Sequence, residues 1–234
     1  MTVDAIRDAW AVLMPVNCAG CERPDRALCR ECSQCLVAAT SVHSTPQQVP
    51  VYAAFRYEGR ARQVLLAFKN HHRTTLARPL AAALVPALRR AVEQSHECTG
   101  SALPILIVGV PSSRKAFRTR GYHPVSLVLR AAAVRHARGL RITQKIYSQK
   151  SLSAEQRVMN VRGAFVATRS FAGIRVIIVD DVLTTGATID EAARAISAAG
   201  GTVIAAATIG FTPRTLSARD NASGEDYGME KGAT

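Results

Sequence analysis

A strand-like apolar run that leads directly into an acidic pair and a threonine–glycine loop is the feature that most restricts the fold of this chain. Residues 176–188 read VIIVDDVLTTGAT. Four consecutive β-branched residues predict a strand buried on both faces, which is typical of parallel sheets covered by helices. The helical pattern TIDEAARAISAAG begins directly after the loop. This strand–loop–helix unit predicts an α/β fold, with the loop at the carboxyl edge of a parallel sheet.

The rest of the chain repeats this alternation and divides into three parts. Strands are predicted at VYAAFRY, ILIVGV, RVIIVDD and TVIAAATIG, and helices at ARQVLLAFK, ARPLAAALVPALRRAVEQ, VSLVLRAAAVRHA and TIDEAARAISAAG. We expect a cysteine-rich module and a linker at residues 1–50, an α/β domain at 51–213 and a disordered tail at 214–234. The linker is predicted from the polar composition of SVHSTPQQVP.

The composition predicts a cytoplasmic protein with an anionic partner. The N-terminal stretch MTVDAIRDAWAVLMP lacks the basic and long apolar regions of a secretory signal. The longest uncharged stretch, residues 195–213, is split by Gly200 and Gly201 and is predicted to be a helix end, a turn and a strand rather than a membrane span. A net charge of +13 favours a nucleotide, a diphosphate or a nucleic acid as partner, although abundant arginine alone would also produce it.

The loop after the acidic pair has the composition of a phosphate site. Gly186 permits tight backbone curvature and close approach of a ligand. Amide groups of residues 185–188 at a helix N-terminus attract a phosphate, and the threonine hydroxyls add donors. Asp180 and Asp181 would repel that phosphate, so we expect them to face ribose hydroxyls or a bound Mg²⁺. Phospho-receiver domains also have an acidic pair after a strand, but they do not follow it with TTGAT.

Two further segments suit a site for an anionic substrate. ILIVGV continues into PSSRKAFRTRGYHP, which carries Arg114, Lys115, Arg118 and Arg120 in a predicted loop at the same sheet edge. These cations suit a diphosphate, which needs neutralisation and hydrogen-bond donors; a solvated basic loop is the alternative. Residues 141–165, which lie between these two loops in the sequence, have no clear apolar period.

The N-terminal module has the cysteine spacing of a zinc site. Cys18 and Cys21 form one CxxC pair, and Cys29 and Cys32 form a second. Four thiolates can complete a tetrahedral Zn²⁺ shell, and the binding energy would fold a module that is too short for its own core. Cys35 also forms a CxxC with Cys32, so the register is not unique. Disulfides are the alternative, which the expected cytoplasmic location disfavours.

Taken together, these motifs resemble known families. VIIVDDVLTTGAT is similar to the phosphoribosyl-diphosphate motif of type I phosphoribosyltransferases. The cysteine knuckle, AFKNHHR, VPSSRKAFRTRGYHP, QRVMNVRGAF and VIIVDDVLTTGAT, in that order, resemble the ComF family over roughly residues 15–212. ComF-type proteins are bacterial, carry a zinc finger ahead of a phosphoribosyltransferase fold, and are associated with uptake of transforming single-stranded DNA. This chain has RGYHP where RGFNQ is usual, so contacts of the replaced amide are in doubt.

The resemblance implies a fold and a set of ligand residues. It implies a parallel-sheet type I phosphoribosyltransferase fold preceded by a zinc-binding module. The acids would hold the ribose, the threonine–glycine loop the 5′-phosphate and the loop after ILIVGV the diphosphate, together with Mg²⁺. Transferases of this type close a hood over the reaction centre, and residues 141–165 have the position and length for it. The implied ligand residues are Asp180, Asp181, Thr184, Thr185, Gly186, Ala187, Thr188, Ser112, Ser113, Arg114 and Lys115. Catalytic roles are implied for Asp180, Asp181, Arg114 and Lys115.

Two classes of function fit these motifs. The first is a phosphoribosyltransferase that transfers the phosphoribosyl group to an unidentified acceptor and releases pyrophosphate. The second is a non-enzymatic protein: a phosphoribosyl diphosphate sensor, or a competence protein that binds single-stranded DNA and other competence-machinery proteins. A base-recognition pocket would favour the enzyme, and the sequence alone does not reveal one.

Overall fold

The computed structural model describes residues 16–37, 40–99, 104–143 and 162–213. The strands in these ranges are β1 (Ser41–Ser44), β2 (Pro50–Arg56), β3 (Ile105–Gly109), β4 (Leu140–Ile142), β5 (Phe165–Ala167), β6 (Arg175–Leu183) and β7 (Thr202–Phe211). The helices are α1 (Arg30–Gln34), α2 (Gly59–Asn70), α3 (Ala77–Thr99), α4 (Arg114–Arg120), α5 (Pro124–Ala131) and α6 (Ala187–Ser197), with a 3₁₀ turn at Thr74–Leu76. The predicted tail lies outside these ranges.

The main sheet is mostly parallel, and β6 and β7 form its centre. Its strand order is β1–β2–β7–β6–β3, with β1 alone antiparallel to its neighbour. Residues 176–179 of β6 are fully buried, as the apolar run predicts. The prediction for ILIVGV is wrong in one respect: β3 is an edge strand of this sheet, and only Val108 of that run is buried.

Helices cover both faces of the sheet, which confirms the α/β fold. One face packs against α2, α3 and α5 around residues such as Phe68, Leu80 and Leu129. The other face packs against α6 and the β4–β5 ribbon around Phe165 and Ile196. Each of these buried side chains contributes roughly 1.5–3 kcal/mol through removal of apolar surface from water. Within the described ranges, no helix is long and apolar enough to cross a membrane.

The predicted linker at residues 41–50 is instead part of the sheet. Ser41 to Ser44 form β1 and pair in register with the first residues of β2. Thr45 in the turn between them is buried, and its Oγ1 accepts a hydrogen bond from the Val49 N–H at 3.1 Å. The polar composition was misleading because an edge strand is held by main-chain hydrogen bonds and can leave one side in water.

The basic stretch after β3 is also more ordered than a loop. Its arginines lie on α4, whose N-cap Ser113 accepts a hydrogen bond from the Ala116 N–H through Oγ at 3.2 Å. Helix α4 ends at Gly121, which has the left-handed φ of +74°. Helix α5 ends earlier than the pattern VSLVLRAAAVRHA predicts, and Ala133 has a left-handed φ of +55°. The chain then follows the free edge of β3, where the Ala137 N–H donates to the Ile107 carbonyl.

The segment predicted to form a hood is described only at its two ends. There β4 and β5 pair antiparallel, with Arg141 opposite Val166, and residues 144–161 between them lie outside the described ranges. The ribbon is fixed to α6, because the Glu191 carboxylate accepts a hydrogen bond from the Phe165 N–H at 3.2 Å. Arg194 donates to the Phe165 carbonyl at 3.0 Å. The ribbon is therefore attached to the helix that follows the predicted phosphate loop.

Candidate functional site

The acidic pair at the carboxyl end of β6 is joined by a lysine from a different part of the chain. The Lys69 ammonium, near the end of α2, lies 2.6 Å from Oδ2 of Asp181. Both side chains are only 21% exposed. The sequence motif AFKNHHR contains Lys69, but sequence reasoning assigned no role to it. The site thus has a cation that was not predicted.

Burial and the neighbouring charges shift the pKa values of Asp180 and Lys69. Burial, and next the charge of Asp181, raise the pKa of Asp180 to about 7. For Lys69, burial disfavours the ammonium, but Asp181 and Asp180 outweigh that effect and raise the pKa of the amine. Near neutral pH, Asp180 is therefore present in both its protonated and its ionised form, whereas the Lys69 amine stays protonated.

The predicted phosphate loop forms a tight turn into α6. Gly186 is the N-cap of this helix and has the left-handed φ of +84°, which confirms the predicted curvature. The structure gives a further reason for a glycine here, beside the predicted close approach of a ligand. A Cβ at this position would lie 3.0 Å from both Pro46 and Thr45, so the glycine is needed for packing against the β1–β2 turn. The same turn donates a hydrogen bond from the Gln47 N–H to Asp190 at 3.3 Å.

The residues around Gly186 are arranged as a helix N-terminus. Thr184 is exposed and Thr185 is half-buried, and Oγ1 of Thr185 accepts a hydrogen bond from the Ala187 N–H at 3.4 Å. Ala187 and Thr188 begin α6, where the first backbone N–H groups have no partner within the helix. These donors and the positive end of the helix dipole can bind an anion.

A basic pocket of about 240 Å³ lies beside the carboxyl end of β3. Its polar lining residues are Ser112, Arg114, His123, Ser126, Arg138 and Arg141. None of the three arginines forms an ion pair with an acid in the described ranges. The pocket adjoins the acidic pair, because the Val110 N–H donates to the carbonyl of Val179, the residue before Asp180.

The basic pocket holds part of the predicted diphosphate set and adds residues to it. Ser112 and Arg114 line it, whereas Ser113 caps α4, and Lys115 is exposed on α4 without lining the pocket. His123 stacks on Phe117 with ring centroids 4.6 Å apart. Burial, then the nearby arginines, lower the pKa of His123. Its buried Nδ1 has no hydrogen-bond partner within the described ranges.

A second pocket, of about 310 Å³, lies on the other side of the phosphate loop. Thr184 and Thr185 form one wall, and His43 and Phe211 form another. The His43 and Phe211 rings lie 4.2 Å apart with a tilt of 41°. Sequence reasoning missed this pocket because β1, which supplies His43, was predicted to be a linker. It is the candidate base-recognition pocket that the sequence did not reveal.

The four predicted cysteines lie together in the N-terminal module. The sulfur atoms of Cys18, Cys21, Cys29 and Cys32 are all within 4.8 Å of one another. The Cys21 and Cys29 sulfurs are 3.7 Å apart, which fits two thiolates on one tetrahedral Zn²⁺ with bonds of about 2.3 Å. All five described cysteines are free thiols, and Cys35 is exposed and outside the cluster. The cluster can therefore hold one metal ion.

Backbone donors prepare this cluster for a cation. Burial alone would raise the pKa of Cys18, but the N–H groups of Cys29, Gly20 and Cys21 lower it to about 6. The Cys29 N–H lies 3.3 Å from the Cys18 sulfur. Burial, and then the neighbouring thiols, raise the pKa of Cys32. Since the thiolate is the form that binds metal, Cys18 is predisposed to act as a ligand.

The cysteine module packs directly on α2. Glu31 of the module accepts a hydrogen bond from Arg60 in the first turn of α2, at 3.1 Å. Gly20 packs so closely that a Cβ there would lie 2.8 Å from the Cys32 sulfur and 3.3 Å from Val64 of α2. Arg73, just beyond α2, donates to the Asn17 carbonyl. Helix α2 therefore contacts the module along its length and carries Lys69 near its end.

Comparison with known proteins agrees with this geometry. Residues 86–224 match the family model described as the phosphoribosyl transferase domain. The chain belongs to this family. The DNA utilization protein YhgH of Salmonella typhimurium is 27% identical over 201 residues, covering 79% of this chain and 88% of that protein. Competence protein F of Haemophilus influenzae is 32% identical over 136 residues, covering 53% and 56%.

A solved structure of an adenine phosphoribosyltransferase covers 77% of this phosphoribosyltransferase-family chain, and 89% of its own, at 17% identity and a TM-score of 0.35. The family match, the two relatives and the cysteine cluster confirm the resemblance to the ComF family.

Proposed function

We propose that the domain binds phosphoribosyl diphosphate with Mg²⁺ and transfers its phosphoribosyl group to an acceptor with release of pyrophosphate. The observation that carries this proposal is the position of the acidic pair between a phosphate-type loop and a basic pocket. Thr184 to Thr188 would bind the 5′-phosphate, Asp180 and Asp181 the ribose hydroxyls, and Ser112 to Lys115 the diphosphate. Arg138 and Arg141 would add positive charge beside the leaving group.

The residues would act by binding and orientation. The bond between C1 of the ribose and the diphosphate oxygen breaks, a bond from the acceptor forms at C1, and the acceptor loses a proton. The carboxylates of Asp180 and Asp181 would fix the sugar, and Arg114 would stabilise the charge that develops on the departing diphosphate. Carboxylate and diphosphate oxygens are the ligands that Mg²⁺ prefers. When bound, the ion would neutralise part of the diphosphate charge.

We assign the acceptor to the pocket between the phosphate loop and β1. His43 and Phe211 offer a partly exposed aromatic surface there, and Ser44 and Thr212 offer hydroxyl groups. Such a surface suits a planar nitrogen compound that stacks on rings and accepts or donates hydrogen bonds at its edge. The assignment supports an enzyme over a sensor, because a sensor needs no second pocket beside its ligand.

The test is calorimetry of phosphoribosyl diphosphate with Mg²⁺, followed by an assay of pyrophosphate release against a panel of nucleobases and amines. The double variant Asp180→Asn with Asp181→Asn removes both ionised acceptors and should weaken binding by at least about tenfold, a loss of about 1.4 kcal/mol. Glu58→Gln, an exposed change outside the site, is the control. A double variant that binds as tightly as the parent contradicts the ribose assignment. Binding without turnover for any acceptor favours the sensor function.

We propose that the ion held by the cysteine cluster is Zn²⁺, in a structural role. Four thiolates in tetrahedral geometry are the usual ligand set of structural zinc. Four cysteine ligands would fill a tetrahedral shell and leave no coordination position for a substrate.

Binding of single-stranded DNA is a second candidate function. The net charge of +13 favours it. So do the names of the two relatives, a DNA utilization protein and a competence protein. It would involve Arg and Lys contacts to phosphates and, in a cell, other competence-machinery proteins. Affinity should fall with salt at a logarithmic slope of roughly 0.7 per contact, and scarce aromatic residues predict little sequence preference. If phosphoribosyl diphosphate competes with the DNA, the DNA binds at the site formed by the acidic pair and the basic pocket. No binding at low salt would remove DNA as a partner.

A further inference from the structure

We propose that Lys69 is a positioning residue for the ribose site, where its ammonium orients the carboxylate of Asp181. This rests on the proposed function, since the ribose hydroxyls are the groups that Asp181 would bind. The observation is the ion pair of 2.6 Å between Nζ of Lys69 and Oδ2 of Asp181, in which each side chain is four-fifths buried. With one carboxylate oxygen engaged by Lys69, the other oxygen of Asp181 is left to accept from a ligand.

The position of Lys69 is fixed by contacts on both sides of it in the chain. Phe68 is fully buried, its carbonyl accepts a hydrogen bond from the Tyr122 hydroxyl, and the two rings lie 5.5 Å apart. On the other side, the His72 ring contacts the Arg120 carbonyl through Nδ1 at 3.3 Å. Arg73 is held by the Asn17 carbonyl of the cysteine module. The backbone that carries the ammonium therefore has little freedom to move away from Asp181.

The positive charge of Lys69 offsets the repulsion between the two adjacent carboxylates. Asp180 and Asp181 repel each other when both are ionised, and burial of Asp180 adds to the cost. The charged groups that act on this pair within the described ranges are Lys69 and, more distantly through its effect on Lys69, Arg120. Loss of the Lys69 charge would leave the repulsion without compensation. The pair would then hold a proton to higher pH and offer fewer acceptors to ribose hydroxyls.

The experiment measures binding of ribose 5-phosphate in EDTA, which removes the diphosphate and Mg²⁺ from the comparison. Calorimetry from pH 5.5 to 8.5 would compare the parent with Lys69→Met, Lys69→Gln and Lys69→Arg. We expect the parent's affinity to rise as Asp180 ionises. In Lys69→Met and Lys69→Gln the midpoint of that rise should lie higher by about one pH unit or more, with affinity at pH 7 lower by about tenfold. Lys69→Arg retains the charge and should stay near the parent.

A matched control removes a different positive charge from the same helix. Arg62→Met on α2 should leave both the affinity and the midpoint unchanged, because Arg62 lies over the Tyr57 ring rather than at the site. Lys69→Gln keeps a polar side chain, so it still tests the proposal if Lys69→Met does not fold. Neutral variants with the parent's affinity and midpoint at every pH would overturn the proposal.

A second measurement needs no ligand and separates this proposal from the proposed function. Carbon-13 NMR of labelled aspartate follows the carboxyl titrations of Asp180 and Asp181 directly. In Lys69→Met the apparent pKa of Asp180 should rise, because the Lys69 charge lowers it, and in Lys69→Arg it should not. If the parent binds neither ribose 5-phosphate nor phosphoribosyl diphosphate, the proposed function fails. If the carboxyl titrations are the same in parent and Lys69→Met, the role of Lys69 fails.

Discussion

The cysteine module and the candidate ligand site around the acidic pair are built in opposite ways. All four clustered thiols come from residues 18–32, so their spacing in the sequence already specifies the cluster. The other site combines Lys69 from α2, the residues after β3, the acids near the end of β6 and the loop that follows it. Its members meet only because parallel strands bring their carboxyl ends to one edge. A site whose residues are close in the sequence can therefore be predicted from their spacing. A site whose residues are far apart in the sequence can be recognised only once the fold is known.

The largest effect is expected from loss of the cysteine cluster. Cys18→Ser or Cys29→Ser should lose the metal and unfold the module, since Zn²⁺ contributes about 10–16 kcal/mol in zinc-finger peptides. Elemental analysis should give one zinc per parent chain and none in these variants, with a lower unfolding temperature. Cys35→Ser is the matched control and should keep full metal content, because Cys35 is exposed and outside the cluster. A stable metal-free protein with Cys–Cys bridges would contradict this prediction.

The second prediction concerns Gly186 in the predicted phosphate loop, which belongs to the site with dispersed residues. Gly186→Ala forces a side chain into a left-handed φ of +84° and to within 3.0 Å of Thr45 and Pro46. We expect a loss of about 2–3 kcal/mol in urea unfolding, together with weaker ligand binding. Gly59→Ala is the control, because its φ is +50° but no atom lies within 4 Å of the added Cβ. It should cost only about 1 kcal/mol. Equal losses in the two variants would show that the contact with the β1–β2 turn is unimportant.

A third prediction concerns the attachment of the β4–β5 ribbon to α6. Glu191 is 5% exposed and accepts hydrogen bonds from Arg194 and the Phe165 N–H. Burial opposes ionisation, but these donors lower the pKa of Glu191. Glu191→Gln should destabilise the fold by about 2 kcal/mol, less than a fully buried pair because Arg194 is half-exposed.

The sign of the pH effect follows from that lowered pKa. The contribution of Glu191 is present above its unfolded pKa of about 4.3 and is lost as the pH falls through the lower folded value. The difference in unfolding free energy between parent and Glu191→Gln should therefore shrink in acid. Glu58→Gln breaks an exposed ion pair and should change stability by at most about 0.5 kcal/mol. A difference that is constant from pH 7 to pH 3 would contradict the ionic role.

The one expected effect of opposite sign is a gain in stability. The pKa of Asp180 is raised to about 7, so the folded protein binds a proton that the unfolded chain has already lost. This penalty is absent near pH 4, grows as the pH rises and is complete above about pH 7. Asp180→Asn should thus be more stable than the parent at pH 8, by up to about 4 kcal/mol for a rise of about three pKa units, and equal to it near pH 4. A variant that is less stable than the parent at pH 8 would show that the carboxylate has a structural role.

Much of the fold could be predicted from the sequence, because the central elements have strong periodic patterns. Strands β6 and β7 and helices α2 and α6 agree with the predicted segments to within a few residues. The edge strand β1 was missed, since SVHS has no apolar alternation and is held by pairing with β2. Helix α4 was missed because its charged residues look like a solvated loop, and its N-cap Ser113 has no Glu or Gln three residues later.

The site was predictable only where its residues follow one another in the chain. The acids and the loop from Thr184 to Thr188 form one continuous motif, and their assignment to a ligand stays a prediction. Lys69 could not be assigned because a lysine at the end of an apolar helical run does not identify its partner. His43 was hidden in the missed strand, and Arg138 and Arg141 reach the basic pocket only because the chain after α5 follows the edge of β3.

Helix α2 has a consequence for how this protein can be engineered or can evolve. Its first turn contacts Glu31 of the cysteine module, and its last turn supplies the lysine that meets Asp181. With 12 residues the helix is about 18 Å long, and it connects the two regions. A truncation that begins at residue 51 would strip the cover from Val64. The N-terminal module is thus not an exchangeable appendage, and any graft of a foreign module onto this domain must also reproduce the surface on which α2 rests.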